Sequence, residues 1–502
     1  MGCKFLFTFA LILLLISFIS CVRILVVLPT PLYSHNLIYR TVYKELSLRG
    51  HEIVAFTPDP INNPKLTNIK EIDMSFLYRH SESDKEGSLL KLTREVFSHE
   101  EMRRIVNDTN ERFDLIIVEW SVNPSFSLLS KRFDCPLVGM RAKGLGLEGH
   151  DSIGNPTNPS YIPSGYRDFE QNFWGRLDNF LFGVIWRMHY HLFVVPEAQK
   201  IADEFFPSYS KNNILEIEKN VSVVLTNTHP IITGVRPIVP ATIEVGGIHL
   251  NREPKEIPKD IQQFLDNSKE GVVYINLGEK IRGSSLDPII LKMFVSALSE
   301  LPYKVIWKWE KDDLPNPPLN VKIWNWLPQE AILGHPNVKA FITNGGLQSF
   351  LEAVDNHIPL VGIPFVADQF INVRQMEKLK IGKRLNVKYL KKRTLVNAVR
   401  NVIQNPKYKK NIKNVAVILH DLPMKPLDKA IWWIEYVLRH KGARHLRSPA
   451  VDLDWITYLL LDVIAFFIVC IITFFVVIYY ILLYLWRLFK LFKGKIVKEK
   501  VD

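Results

Sequence analysis

The sequence predicts an α/β chain in which two Rossmann-like domains face each other across a cleft, followed by one C-terminal transmembrane helix. Three observations carry this expectation. The chain opens on a strand, helix, strand pattern; a second strand-first pattern begins at Val272 after a proline-rich junction; and Val463 to Leu485 is an uncharged apolar run that precedes a basic tail. At 502 residues, with 47% apolar and 23% charged, the chain has enough material for two cores. The expected boundaries are a signal peptide at 1–21, domains at 22–245 and 246–450, the transmembrane helix at 455–486 and a tail at 487–502.

The signal segment has Lys4 followed by an apolar run from Phe5 to Ile19, too short to span a bilayer and suited to a secretory leader. Arg23 to Leu28 reads as a strand. Asn36 to Arg49 reads as a helix with Tyr39, Val42, Tyr43 and Leu46 on one face and Gly50 as its C-terminal cap; Glu52 to Thr57 is the next strand. Asp114 to Val118 and Pro136 to Met140 continue the sheet, and His35 falls in the turn after the first strand. The string from Gly144 to Gly149 has GxGxxG spacing. Asn155, Pro156 and Pro159 beyond it argue against a following helix, so a dinucleotide fingerprint is not expected. Phe169 to Val195 is rich in aromatics, among them Phe173, Trp174, Phe180, Phe182, Trp186, Tyr190 and Phe193; an acceptor pocket, a bilayer surface and plain core packing all suit it. Asn107 and Asn220 head glycosylation sequons, the second abutting an apolar strand and expected to be buried.

Pro230, Pro237, Pro240, Pro254 and Pro258 crowd a segment that also holds Gly234, Gly246 and Gly247, which marks the domain junction. In the second half Val272 to Leu277 leads to Gly278, and Tyr303 to Lys308 is a further strand. Lys339 to Thr343 then runs into Asn344, Gly345 and Gly346, where the chain can turn without a Cβ penalty. A helix follows with Leu347, Phe350, Leu351 and Val354 as its buried stripe, then a strand from Ile358 to Ile363 and the pair Asp368-Gln369. Such a unit aims backbone N–H groups and the positive end of a helix dipole at a sheet edge, a place for a diphosphate. The helix near Pro426 to Arg439 is expected to cross back to the first domain.

The net charge of +12 does not indicate nucleic acid, because part of it is the tail and the Arg374 to Lys413 run has no interleaved aromatics. The 23 residues from Val463 to Leu485 can cross a hydrocarbon core of roughly 30 Å. Arg487, Lys490, Lys493, Lys495, Lys498 and Lys500 follow them, whereas Asp452, Asp454 and Asp462 precede or open the span. The positive-inside rule predicts a type I single-pass protein with its domains lumenal. Of the four cysteines only Cys135 is clearly lumenal, so no disulfide framework or cysteine metal site is expected.

Trp326-Leu327-Pro328-Gln329, Gly334-His335-Pro336, Gly345-Gly346, Glu352, Pro359, Pro364 and Asp368-Gln369 stand in register between Trp324 and Val373. Together they resemble the signature of the UDP-glycosyltransferase family, in its animal, membrane-bound UDP-glucuronosyltransferase-like branch. The resemblance implies the GT-B fold, with the first domain binding the acceptor and the second the UDP-sugar, which is a co-substrate; no other cofactor and no metal is implied. It places a general base at His35 and its carboxylate partner at Glu119, where relatives carry aspartate. Trp326 would stack on the uracil, Gln329 would bond near it, Gly346 and Ser349 would donate to the diphosphate, and Glu352 would accept from the ribose. Asp368 and Gln369 would hold the sugar, and Gly278, Asn344 and Gly345 would line the donor loops. The implied reaction is an inverting transfer of a hexose, glucose or glucuronate, to a small lipophilic acceptor, in the manner of detoxification.

Two departures mark the donor site: Asn344 stands where the family usually has histidine, and Glu279 where it usually has serine. A carboxylate about 5 Å from a diphosphate would cost roughly 3 kcal/mol at an effective dielectric near 20, unless it turns away or Lys280 or Arg282 neutralises it. A second reading therefore stays open, a weakened family member that binds a UDP-sugar or lipophile and acts by homo- or hetero-association with active relatives. The terminal Lys498-Glu499-Lys500-Val501-Asp502 fits a dilysine signal, which in this family implies the endoplasmic reticulum membrane.

Overall fold

The structure is a computed structural model that describes residues 21–79, 88–120, 123–165, 170–209, 211, 213–250, 256–279 and 281–498. The expected signal peptide up to residue 20, Lys280 and the last four residues of the tail lie outside the described residues. The chain divides into two compact units, one ending at Arg447 and the other beginning at Ser448.

The first unit holds two parallel sheets. One contains β1 (Arg23–Val27), β2 (Glu52–Thr57), β3 (Ile69–Asp73), β4 (Leu115–Glu119), β5 (Leu137–Arg141), β6 (Val223–Thr226) and β7 (Thr242–Glu244) in the order β3-β2-β1-β4-β5-β6-β7. The other contains β8 (Val272–Asn276), β9 (Lys304–Lys308), β10 (Val321–Trp324), β11 (Val338–Thr343), β12 (Leu360–Gly362) and β13 (Gly382–Arg384) in the order β10-β9-β8-β11-β12-β13. Continuous apolar runs such as Arg23-Ile-Leu-Val-Val27 suit strands covered on both faces. Leu25 and Val27 accordingly pack into one core layer, and Ile24 and Val26 into the layer opposite.

Strand order reverses between β1 and β4 in the first sheet and between β8 and β11 in the second. Ligands of open α/β sheets bind at such switch points. Val27 pairs with Val118, and Asn276 with Thr343, so the two chain segments that leave each switch point emerge side by side.

Helix α1 (Tyr33–Leu48) begins earlier than the sequence pattern predicts, which puts His35 in a helix's first turn and not in a loop. The cause is Asn36: its buried amide donates to the Thr30 and Leu32 carbonyls at 2.9 and 3.1 Å and folds the turn into the helix. Helix α2 (Leu147–Ile153) overturns the expectation that none follows the glycine string. It is two turns long and stops at Gly154, at φ +76°, before Pro156 is reached. The dinucleotide reading still fails, for another reason: a Cβ at Gly146 would meet the Glu148 carboxylate at 2.2 Å, so an acid stands over the loop.

Helix α3 (Phe173–His189) settles part of the aromatic segment. Phe173, Trp174, Phe180 and Ile185 are exposed, as is Phe193 in the π-helical turn beyond, so this segment is not core. Asn220 is exposed too, although Ser222 of its sequon is buried. Helix α4 (Leu347–Asp355) and helix α5 (Gln369–Lys378) follow β11 and β12, and α6 (Pro426–Arg439) buries Ala430, Ile431, Ile434 and Val437 in the core of the first sheet, beside Ile38 and Tyr39 of α1. That packing returns the chain to its first half.

In the second unit α7 (Leu461–Lys498) includes a 31-residue stretch, Leu461–Leu491, long and apolar enough to cross a bilayer. It is separated from a short turn of helix at Trp455–Tyr458 by Leu460, at φ +53°.

Candidate active site

Glu119 ends β4, and alternation along the strand decides where it points. Trp120 goes to the layer of Ile116 and Val118, while Leu115 and Ile117 face α1, and Glu119 shares their parity. Trp120 is pinned there because Gly139 of β5 lets its indole approach; a Cβ would lie 2.9 Å from the ring. Glu119 is buried and sits under the first turn of α1, with Oε1 3.5 Å from Nδ1 of His35. Among the described residues neither atom has another hydrogen-bond partner, and Oε2 of Glu119 accepts the Thr30 N–H at 3.2 Å. The acid is therefore not a strand-end group facing water.

Burial lowers the His35 pKa below its ordinary value of 6.5, with Lys143 and Arg141 acting the same way and Glu119 opposing them. Burial pushes the Glu119 carboxyl upward, but His35, Arg141 and the Thr30 N–H together outweigh it and leave the net shift downward. Both directions describe one state, a neutral imidazole beside a carboxylate. With Nδ1 turned to Glu119, the tautomer protonated there leaves Nε2 as a lone-pair acceptor.

The second wall is built on Gly278 and the 344–346 turn. Gly278 has φ +91°, and a Cβ there would stand 2.5 Å from Nδ2 of Asn344. Gly345, at φ +84°, leaves no room either, since its Cβ would meet Val373 at 2.3 Å. Asn344 is buried and spends its Oδ1 on the Gly346 N–H at 3.0 Å, which shapes the entry to α4. Helix α4 has no side-chain cap at Gly346, so its first-turn N–H groups face the β8 to β11 switch point.

Behind this turn Gln329 ties the nucleotide wall together. Its Oε1 accepts from Asn276 at 2.7 Å and Tyr274 at 3.1 Å, and its Nε2 donates to Ser349 at 2.9 Å and Glu352 at 2.6 Å. Gln329, Ser349 and Glu352, grouped by the family resemblance, thus come together, with the Gln329 amide directed at its neighbours. Trp326 is 61% exposed, so its indole is not part of the core.

Asp368 stands just before α5 and pairs with Nζ of Lys143 from the opposite sheet at 3.1 Å. Burial raises its pKa, Lys143 more than offsets this, and the net shift is downward. Gln369 is buried, and its Oε1 accepts the Phe365 and Val366 N–H groups at 2.9 and 3.0 Å, holding the turn after β12. A cavity of about 230 Å³ opens beside Asp368, lined among others by Lys143, Leu145, Phe182, Trp186 and Ile238. Phe182, half-buried, and Trp186, still partly exposed, thus line this cavity, whereas Phe173, Trp174, Phe180 and Phe193 of the same segment are exposed.

Sequence reasoning missed three cross-cleft contacts. Lys143 pairs with Asp368, Gln348 donates to the Ala142 carbonyl at 2.9 Å, and Glu279 accepts the Ser34 N–H at 3.2 Å. The only advance signal for Lys143 was its place just past a strand's carboxyl end. The Glu279 carboxylate is engaged with the Ser34 N–H, and Lys308 attracts its charge; Lys280 lies outside the described residues.

A family described as UDP-glucoronosyl and UDP-glucosyl transferase matches this chain over residues 65–496. The chain belongs to the UDP-glycosyltransferase family. UDP-glycosyltransferase UGT4 of Dactylopius coccus is 34% identical over 470 residues, covering 89% of this chain and 91% of that one. UDP-glucuronosyltransferase 2B17 of Homo sapiens is 31% identical over 487 residues, covering 89% and 90%. The crystal structure of the glycotransferase of kitacinnamycin superposes with a TM-score of 0.58 at 15% identity, covering 84% of this chain and 100% of that one. The paired parallel sheets are thus the GT-B fold. For a UDP-glycosyltransferase with the apolar Leu461–Leu491 helix, membrane anchoring fits.

Proposed function

We propose that this UDP-glycosyltransferase transfers a hexose, glucose or glucuronate, from its UDP-sugar to the hydroxyl of a small lipophilic acceptor with inversion at the anomeric carbon. The observation that carries the reading is the His35–Glu119 pair at one switch point, opposite the Gly278 and 344–346 loops at the other. The acceptor hydroxyl enters through the cavity and gives its proton to Nε2 of His35. Its oxygen attacks the anomeric carbon while the bond to the diphosphate oxygen breaks, and UDP leaves with both electrons of that bond. Glu119 stabilises the imidazolium that forms. The N–H groups at the start of α4 receive the charge that grows on the leaving diphosphate. Gly278, Asn344 and Gly345 shape that loop, and Gly346 and Ser349 serve the phosphates. Trp326 and Gln329 serve the base and Glu352 the ribose. Asp368 binds a sugar hydroxyl once Lys143 yields or shares it, while the Gln369 amide nitrogen remains for another. No metal enters these steps.

The apolar part of the cavity wall, Leu145, Phe182, Trp186 and Ile238, supports an acceptor such as a xenobiotic, steroid or phenolic. The acidic residues before the apolar span Val463 to Leu485 and the basic ones after it favour a lumenal catalytic unit held at the endoplasmic reticulum membrane. Full-length protein in detergent, given UDP-glucose or UDP-glucuronate with a phenol panel, should consume one sugar and release a conjugate. UDP binding without any conjugate would defeat this reading.

One observation favours a second reading. Asn344 uses its Oδ1 within its own turn and supplies no positive charge. A weakened member that binds its ligand and associates with active relatives would show that same outcome, UDP bound and no conjugate.

A further inference from the structure

We infer that Glu279 caps helix α1 from the opposite domain and so is a positioning residue for His35. Helix α1 supplies no cap of its own, because its N-cap residue is Leu32 and makes no side-chain hydrogen bond. Its first free N–H groups belong to Tyr33 and Ser34, since those of His35 and Asn36 return to the Leu32 carbonyl at 3.0 Å. Oε1 of Glu279 accepts the Ser34 N–H at 3.2 Å, with Tyr33 N–H also turned to the carboxylate. A carboxylate there meets both unsatisfied donors and the positive end of a 16-residue helix.

The route across the cleft is built into the backbone. Gly278 at φ +91° swings the chain out of β8 in a direction a side-chained residue would not take, since its Cβ would strike Asn344. Among the described residues, Lys308 at the end of β9 attracts the charge of Glu279 and Asp59 repels it; the Tyr78 hydroxyl, bonded to Asp59 at 2.7 Å, also feels it. Burial is the largest influence and raises the Glu279 pKa, and among the described residues the buried Oε2 has no hydrogen-bond partner. A carboxyl held at that disadvantage is kept in place by what Oε1 does. Ser34 precedes His35, so fixing its amide fixes the turn that aims the imidazole. A side chain from the donor loop therefore orders the base from across the cleft.

The kinetic half of this inference rests on the glycosyltransferase reading; the structural half does not. The test uses full-length protein in detergent and the variants E279A, E279D and E279Q. Hydrogen exchange of residues 33–36 should quicken about tenfold in E279A and in E279D, whose arm is one methylene short, and stay near wild type in E279Q, which retains an acceptor oxygen. With a conjugating acceptor, kcat should fall about tenfold in E279A and E279D and be restored to within about threefold in E279Q, with KM for the UDP-sugar changed less than about twofold throughout. Unchanged exchange in E279A overturns the cap. Lower KM with undiminished kcat in both E279A and E279Q would instead mean that the carboxylate opposes the diphosphate, and overturns the positioning role. If wild type forms no conjugate, the glycosyltransferase reading fails by itself and the exchange result still decides the cap.

Discussion

The two walls of the cleft differ in how much of their chemistry is in place. On the first sheet His35 and Glu119 face each other with orphaned atoms 3.5 Å apart and Nε2 left as the acceptor. On the second sheet the Gln329 network is closed, yet the turn that meets the leaving group carries Asn344, and Glu279 has been redirected to α1. On the proposed mechanism, activation of the nucleophile and stabilisation of the leaving group sit at switch points of different sheets, the first assigned to side chains and the second to the backbone N–H groups at the start of α4.

The largest break in the comparison is at the base. H35A should lower kcat by about 10³-fold, within the usual span for general base catalysis, with KM for the UDP-sugar nearly unchanged in initial-rate kinetics. E119A should cost about 10²-fold, since the ring loses its orienting partner. The pH profile sharpens the same point. His35 must be neutral to act, and its pKa is lowered by burial, so kcat/KM should hold down to below pH 6.5 and fall only in more acid buffer. Glu119 is the group that opposes this lowering, so E119A should move the acid limb to still lower pH.

Smaller effects belong to the donor wall. N344H should raise kcat about tenfold by bringing a charge-assisted donor to the diphosphate. An unchanged or lower rate would give the asparagine a role of its own. K143A leaves the half-buried Asp368 without its cation, and KM for the UDP-sugar should rise about threefold in the same assay, with kcat moving less.

Much of this architecture was legible before any coordinates. Apolar runs such as Val272 to Leu277 and glycine turns such as 344–346 announce parallel strands and switch-point loops, because both follow from local periodicity and backbone freedom. The residues expected around the nucleotide did converge, Gln329 on Ser349 and Glu352. What stayed hidden depends on neighbours far along the chain. Ser34 and Glu279 are 245 residues apart, and Lys143 and Asp368 are 225 apart, so no spacing rule reaches them. The start of α1 was misjudged because Asn36 folds the turn by bonding backward, and α2 because a left-handed Gly154 ends it before the prolines act.

The most direct test of the account is the product formed by wild type and H35A from one consumed UDP-sugar and one phenol, with UDP affinity measured on both. The account predicts a β-linked conjugate from wild type and almost none from H35A, with UDP binding equal in the two. An α-linked product, or a conjugate formed as fast by H35A, would contradict it.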